Sequence, residues 1–176
     1  MAFGIGDTVV KPGLGICKIK SIRKMQVEGK EQSFYVLQSG DVKVMVPFAY
    51  AHAGGLRSVM TESQIDELFA FFREPILLPE HETDTPDLYA IKVDRAKDEI
   101  KQRSPLVVAA IAKTLFYKSK LCDLPKIETE LLQGSLTTLA EEVAHAQHTT
   151  RQKILFKIRS ILTEGRKARK DSIHHT

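Results

Sequence analysis

The sequence predicts an α+β chain, in which a small N-terminal β-barrel is followed by an all-α helical C-terminal domain. Residues 1–60 contain short runs of β-branched and aromatic residues separated by glycine and proline turns. From residue 61 onward, apolar residues recur at helical spacing. The change from period two to period 3.6 near residue 60 therefore divides the chain into domains 1–60 and 61–176.

Turn residues delimit the strands of the first domain. Strands are predicted over 7–11, 16–24, 33–37 and 42–46, with turns at 12–15, 27–30 and 39–41, and Pro47 ends the last of these strands. Five short strands with tight turns in this span would make an SH3-like or Tudor-like barrel, and the turn residues delimit four of them. Such a barrel leaves edge strands exposed.

Start signals mark the helices of the second domain. Thr61 with Gln64 three residues later has the spacing of a capping box. A proline-containing acidic segment, 74–86, is interpreted as a linker, after which Pro86 opens a helix to about residue 102. Ser104 and Pro105 repeat the start signal, and the helix that follows is apolar nearly all round, which indicates burial at the centre of a bundle.

Two further helices complete the predicted domain. A break at 122–125 leads into helical spacing over 127–143, and a final helix follows Thr150 with its basic residues off the apolar stripe. Gly165 is predicted to stop that helix.

Composition limits the classes of function. Residues 91–176 hold 17 basic and 10 acidic groups, which suits a polyanionic partner, although basic helices are often only solvated faces. Cys17 and Cys122 are interpreted as core thiols, with neither a disulfide nor a zinc site. The sequence lacks a signal peptide pattern and an apolar stretch of membrane length, so we expect a cytoplasmic protein.

Motifs for catalysis are weak in this sequence. The glycines at positions 4, 6, 13 and 15 lack the spacing of a phosphate-binding loop and are interpreted as turn glycines. His145 and His148 lie three residues apart but have no third ligand nearby, which favours surface histidines over a metal site. We therefore expect no enzyme, no catalytic residue, no metal and no cofactor.

The N-terminal motifs carry a family resemblance. They comprise residues 3–19 (FGIGDTVVKPGLGICKI), Gly29, residues 34–37 (FYVL), residues 45–47 (MVP) and residues 55–57 (GLR). In this order and spacing the sequence resembles the CarD/CdnL transcription factors of bacteria. The helical part resembles the same family more loosely. Together the two parts of the resemblance cover roughly residues 2–146.

The resemblance implies a Tudor-like domain that docks on the RNA polymerase β subunit. It also implies a helical domain that stabilises the promoter open complex through DNA contacts without sequence specificity at the bubble edge. By position in the motifs, Met25, Val27, Met45 and Pro47 would bind the polymerase. The alternative is that Met45 lies in the core and that Pro47 only ends a strand.

For DNA, the family commonly carries a wedge tryptophan, and this chain has none. Tyr89, with Leu88 beside it, falls at that place, although Tyr89 packed inside the bundle is an equal alternative. Phosphate contacts are expected from Lys92, Arg95, Lys97, Lys101 and Lys126.

The expected protein is thus a nucleoid-associated monomer that contacts no membrane. The alternative function is an adaptor that links RNA polymerase to another regulator without direct DNA binding.

Overall fold

The structure is a computed structural model that describes residues 3–74 and 104–173. Its strands are β1 (Thr8–Lys11), β2 (Gly15–Val27), β3 (Lys30–Ser39), β4 (Val42–Pro47) and β5 (Arg57–Ser58). Its helices are α1 (Phe48–Tyr50), which continues as a π-helical turn (Ala51–Gly55), then α2 (Glu62–Arg73), α3 (Pro105–Lys118), α4 (Lys126–Ala146) and α5 (Arg151–Ile173). A β unit followed by helices confirms the predicted α+β class.

The described residues divide into two compact units, and the division falls between Val59 and Met60. The linker predicted beyond Glu74 and the helix predicted from Pro86 to about residue 102 lie outside the described residues. None of the helices that the structure describes is long and apolar enough to span a bilayer.

The first unit is a five-stranded antiparallel sheet in the order β4-β3-β2-β1-β5. The predicted hairpin joins β2 to β3 through Glu28 and Gly29, whose φ angles are 51° and 75°. Two successive left-handed residues make a turn whose twist matches that of the flanking strands, and glycine adopts this conformation without steric cost. The turn thereby sets the register in which Val27 pairs with Lys30.

An apolar core formed by described residues lies beneath this sheet. Tyr35 is fully buried in this core and stacks on Phe48 with ring centroids 4.0 Å apart. Cys17 is also buried, and this burial raises the pKa of its thiol, so the sulfur stays protonated and acts as a small apolar group. The buried members of this core are Val9, Cys17, Ile19, Tyr35, Leu37, Val46, Ala51 and Leu56.

The second unit is a helical bundle in which α2, α3, α4 and α5 share one core. The predicted capping box at Thr61 is present, because its hydroxyl accepts from the Gln64 backbone N–H and the Gln64 side chain accepts from the Thr61 N–H. The buried Glu142 carboxylate accepts the Met60 backbone N–H at 2.9 Å, which fixes the start of α2 against α4.

Two local predictions in the helical unit are wrong. Cys122 is exposed, because it falls in the turn after α3, where its thiol lies 3.7 Å from the Lys118 carbonyl. Gly165 does not stop the last helix, since α5 continues to Ile173. A Cβ on Gly165 would lie 3.0 Å from the Tyr117 hydroxyl, so this glycine permits a close approach of α3.

Candidate functional site

A β-bulge in β2 decides which side chains share the outer face of the sheet. Ile19 pairs with the buried Leu37, but the register shifts between Ile19 and Ser21, so that Ser21 pairs with the half-buried Val36. Without the shift, strict alternation would place residues 21, 23, 25 and 27 on the core side with Ile19. The bulge moves them to the outer face instead.

The outer face that results carries six apolar side chains in neighbouring cross-strand rows. Val36 lies between Ser21 and Met45, and Phe34 lies between Arg23 and Pro47, in two adjacent cross-strand rows. Met25 and Val27 follow on the same face of β2, toward the hairpin. We name this the outer-face cluster, and its members are Met25, Val27, Phe34, Val36, Met45 and Pro47. Successive rows are two residues apart along the strands. At about 3.3 Å per residue, the three row spacings from the Val36 row to the Val27 row therefore span about 20 Å.

These side chains are available to a partner. Met25 is 45% exposed and Met45 is 40% exposed, while Phe34, Val36 and Pro47 are half-buried. Core packing is thereby excluded for Met45. Pro47 ends β4 and also lies on the outer face. Exposed apolar side chains that adjoin one another in this way are typical of a protein interaction surface.

The cluster adjoins an open strand edge. β4 stands at one end of the strand order and pairs with β3 alone among the described strands. Its other margin therefore presents backbone N–H and C=O groups without ladder partners within the described part of the chain. Lys43 and Pro47 on β4 are residues that disfavour pairing between two copies of such an edge.

The charged side chains at the outer-face strand positions have one sign, and exposed Glu28 lies in the adjoining hairpin turn. The outer-face positions of β2, β3 and β4 include Lys18, Arg23, Lys30 and Lys43 and no acidic residue. The surface is thus an apolar patch with a cationic rim, which fits a partner with apolar side chains flanked by carboxylates.

All four residues that the resemblance assigned to polymerase binding lie on this face. Phe34 and Val36 belong to the same cluster, and sequence reasoning did not single them out. Their signal was present in the alternation of residues 34–37, where Phe34 and Val36 flank the buried Tyr35. Assigning that alternation to a face required the position of the bulge.

The residues expected to contact DNA fall mostly outside the described residues. These are Leu88, Tyr89, Lys92, Arg95, Lys97 and Lys101. Lys126 is described: it begins α4, its side chain is 89% exposed, and its Nζ lies 3.9 Å from Glu130 Oε1. An exposed pair at this distance is weak and leaves the lysine accessible to a phosphate.

The described helices are close to neutral in charge. Residues 60–74 and 104–173 contain 13 basic and 11 acidic side chains. Much of the cationic excess of the C-terminal half therefore lies in residues 91–103, outside the described residues, and in residues 166–170 at the end of α5.

Groups suited to a metal do not assemble in the described part of the chain. There, no three His, Cys, Asp or Glu side chains cluster at ligand distance. His145 and His148 are both exposed, as the surface interpretation expects.

The described residues thus comprise a small antiparallel β unit with an exposed apolar outer face and a helical bundle. Two comparisons with known proteins agree on the relatives of the β unit. The family model for the CarD-like/TRCF RID domain matches residues 3–60. CdnLNt from Myxococcus xanthus, a solved structure, is 34% identical, and the match covers 35% of this chain and 90% of that chain with a TM-score of 0.31.

The family match places residues 3–60 of this chain, its first unit, in the CarD-like/TRCF RID domain family. This class of RNA polymerase-interacting domain indicates a transcription-related protein.

Proposed function

We propose that this protein docks on the RNA polymerase β subunit through the outer-face cluster and the β4 edge, and stabilises the promoter open complex. The observation that supports the proposal most is the apolar outer-face cluster beside the β4 edge, which has no ladder partner among the described strands. A partner strand added to β4 would gain backbone hydrogen bonds, while Met45 and Pro47 would supply side-chain specificity. The cationic rim would favour an acidic docking site and speed the encounter.

The helical unit would act on DNA by tethering. Docking raises the effective concentration of a weak DNA-binding unit near the bubble edge, so few direct contacts are needed. Lys126 is accessible for a phosphate contact, and Lys92, Arg95, Lys97 and Lys101 remain proposed contacts of the same kind. Tyr89 with Leu88 is proposed to hold the edge of the melted segment, since an inserted aromatic or apolar side chain partly unstacks a base step.

Open-complex lifetime tests this function. Complexes formed with and without the protein are challenged with a competitor, and the surviving fraction is followed over time. The proposal expects longer lifetimes with the protein, and shorter ones with Tyr89→Ala, which should leave polymerase binding intact. Unchanged lifetimes on every promoter tried would reject the open-complex function. Failure to bind the isolated β lobe would reject the docking function separately.

A second candidate function is an adaptor that joins polymerase to another regulator without touching DNA. The near-neutral charge of the described helices favours it. Binding to fork-junction DNA over a range of salt concentrations separates the two functions. Phosphate contacts make affinity fall with salt, whereas an adaptor shows no salt-dependent DNA affinity.

A further inference from the structure

The solvent-exposed face of α5 carries an aromatic side chain that is not packed in the core. Phe156 is 74% exposed, the highest value among the large apolar side chains that the structure describes as exposed. The apolar stripe of the same helix, with Ile154, Ile158 and Leu162, is buried in the bundle core on the opposite side. Phe156 therefore lies at the centre of the solvent face.

Cations flank this ring along the helix. Lys153 and Arg159 lie three residues before and after Phe156, so both share its face. With a rise of 1.5 Å per residue they are about 9 Å apart along the axis, which is close to three base steps of 3.4 Å. The other positions of this face up to residue 163 are Gln152, Ser160 and Thr163, and none is acidic.

The two flanking cations are free of ion pairs with other described residues, in contrast to their neighbours on α5. Arg151 binds Glu141 at 2.7 Å, and Lys157 lies over the Phe69 ring at 3.9 Å. Lys153 and Arg159 form neither an ion pair nor a cation–π contact within the described part of the chain. Helix α5 also continues through positions 166–173, where the sequence adds four basic residues and one acidic residue.

We propose that Phe156, Lys153 and Arg159 form a nucleic-acid-binding surface, which we name the α5 face. Its partner is DNA with unpaired or unstacked bases. The cations would contact phosphates on either side, and the ring would stack on an exposed base. The inference rests on the DNA part of the proposed function and assigns it a second contact surface.

The composition of the α5 face favours nucleic acid over a lipid surface. Helices that bind in the plane of a membrane insert a broad apolar face, but the apolar stripe of α5 is already buried in the bundle. A single phenylalanine among lysine, arginine, glutamine, serine and threonine instead resembles the pairing of stacking and charged groups that single-stranded nucleic acid requires.

Fluorescence anisotropy with the full chain tests the α5 face on two labelled DNAs, a fork junction with unpaired bases and the fully paired duplex. Stacking contributes roughly 1–3 kcal/mol per base, so Phe156→Ala should weaken fork binding by at least about fivefold and affect the duplex less. Replacing Lys153 and Arg159 by glutamine should weaken both and lower the slope of log affinity against log salt by about 1.4 to 1.8.

The matched control is Leu121→Ala, which removes an exposed apolar side chain after α3 and should leave both affinities within about twofold of the wild type. Fork binding that does not depend on Phe156 would overturn this inference and leave the proposed function standing. If the wild-type protein binds the β lobe but does not bind the fork junction, the proposal for the α5 face is overturned as well. A Phe156-dependent affinity for a polyglutamate peptide or anionic vesicles in place of DNA would overturn it by identifying another partner.

Discussion

Truncation of Met45 tests the outer-face cluster quantitatively. Full burial of a methionine side chain contributes about 1.5–3 kcal/mol, and the 40% of Met45 that remains exposed is what a partner could still cover. Met45→Ala should therefore cost roughly 0.6–1.2 kcal/mol of binding, which raises Kd about three- to eightfold. By the same measure, the part of Met45 that the fold already covers contributes roughly 0.9–1.8 kcal/mol to folding, so the free energy of unfolding should fall by about that amount and binding is measured where the variant is fully folded.

The control for this experiment lies on the same strand. Val42 is 50% exposed and belongs to the alternate set of β4 side chains, so Val42→Ala removes comparable exposed apolar area from the other face. Titration calorimetry with a β-lobe fragment of the polymerase gives Kd for the wild type and both variants. The reasoning is refuted if Met45→Ala binds as the wild type does, or if Val42→Ala weakens binding as much as Met45→Ala.

Three further substitutions test the helical unit by urea or thermal unfolding. Thr61→Ala removes the capping hydroxyl of α2 and should cost about 1 kcal/mol; no loss would mean that the cap is unimportant. Gly134→Ala in the middle of α4, where a Cβ meets nothing within 4 Å, should stabilise by about 0.5–1 kcal/mol, and destabilisation would contradict the open space. Burial lowers the pKa of Lys113, so the ammonium group loses its proton at a lower pH in the folded state than in the unfolded state. The free energy of unfolding should therefore rise with pH toward the ordinary pKa of lysine. Lys113→Met should remove the contribution of Lys113 to this rise.

Local signals in the sequence predicted much of the fold. The hairpin at Glu28 and Gly29 and the capping box at Thr61 depend on residues that are close together in the chain. Both can therefore be predicted from the sequence alone. The prediction for Gly165 is wrong because a helix tolerates a glycine at a cost of about 1 kcal/mol. This glycine permits a close approach of Tyr117 on another helix. Such long-range packing leaves no local pattern.

The candidate site was predicted as four positions by resemblance, but its geometry was not. The bulge between Ile19 and Ser21 places Met25 on the same face as Met45, and alternation alone would separate them. The sequence also does not predict that Phe156 is exposed to solvent. The periodicity of α5 identifies its buried stripe, yet it does not distinguish an aromatic residue left in solvent from one covered by a neighbouring element.

Hydrogen exchange along β4 tests the central claim most directly, namely that this edge and its outer face receive the polymerase. Backbone amides that face away from β3 lack ladder partners within the described residues and should exchange readily in the free protein. We predict that saturating β lobe slows exchange in residues 42–47 more than in β5 at the opposite end of the sheet. Unchanged exchange over residues 42–47, with protection elsewhere on the protein, would contradict the account.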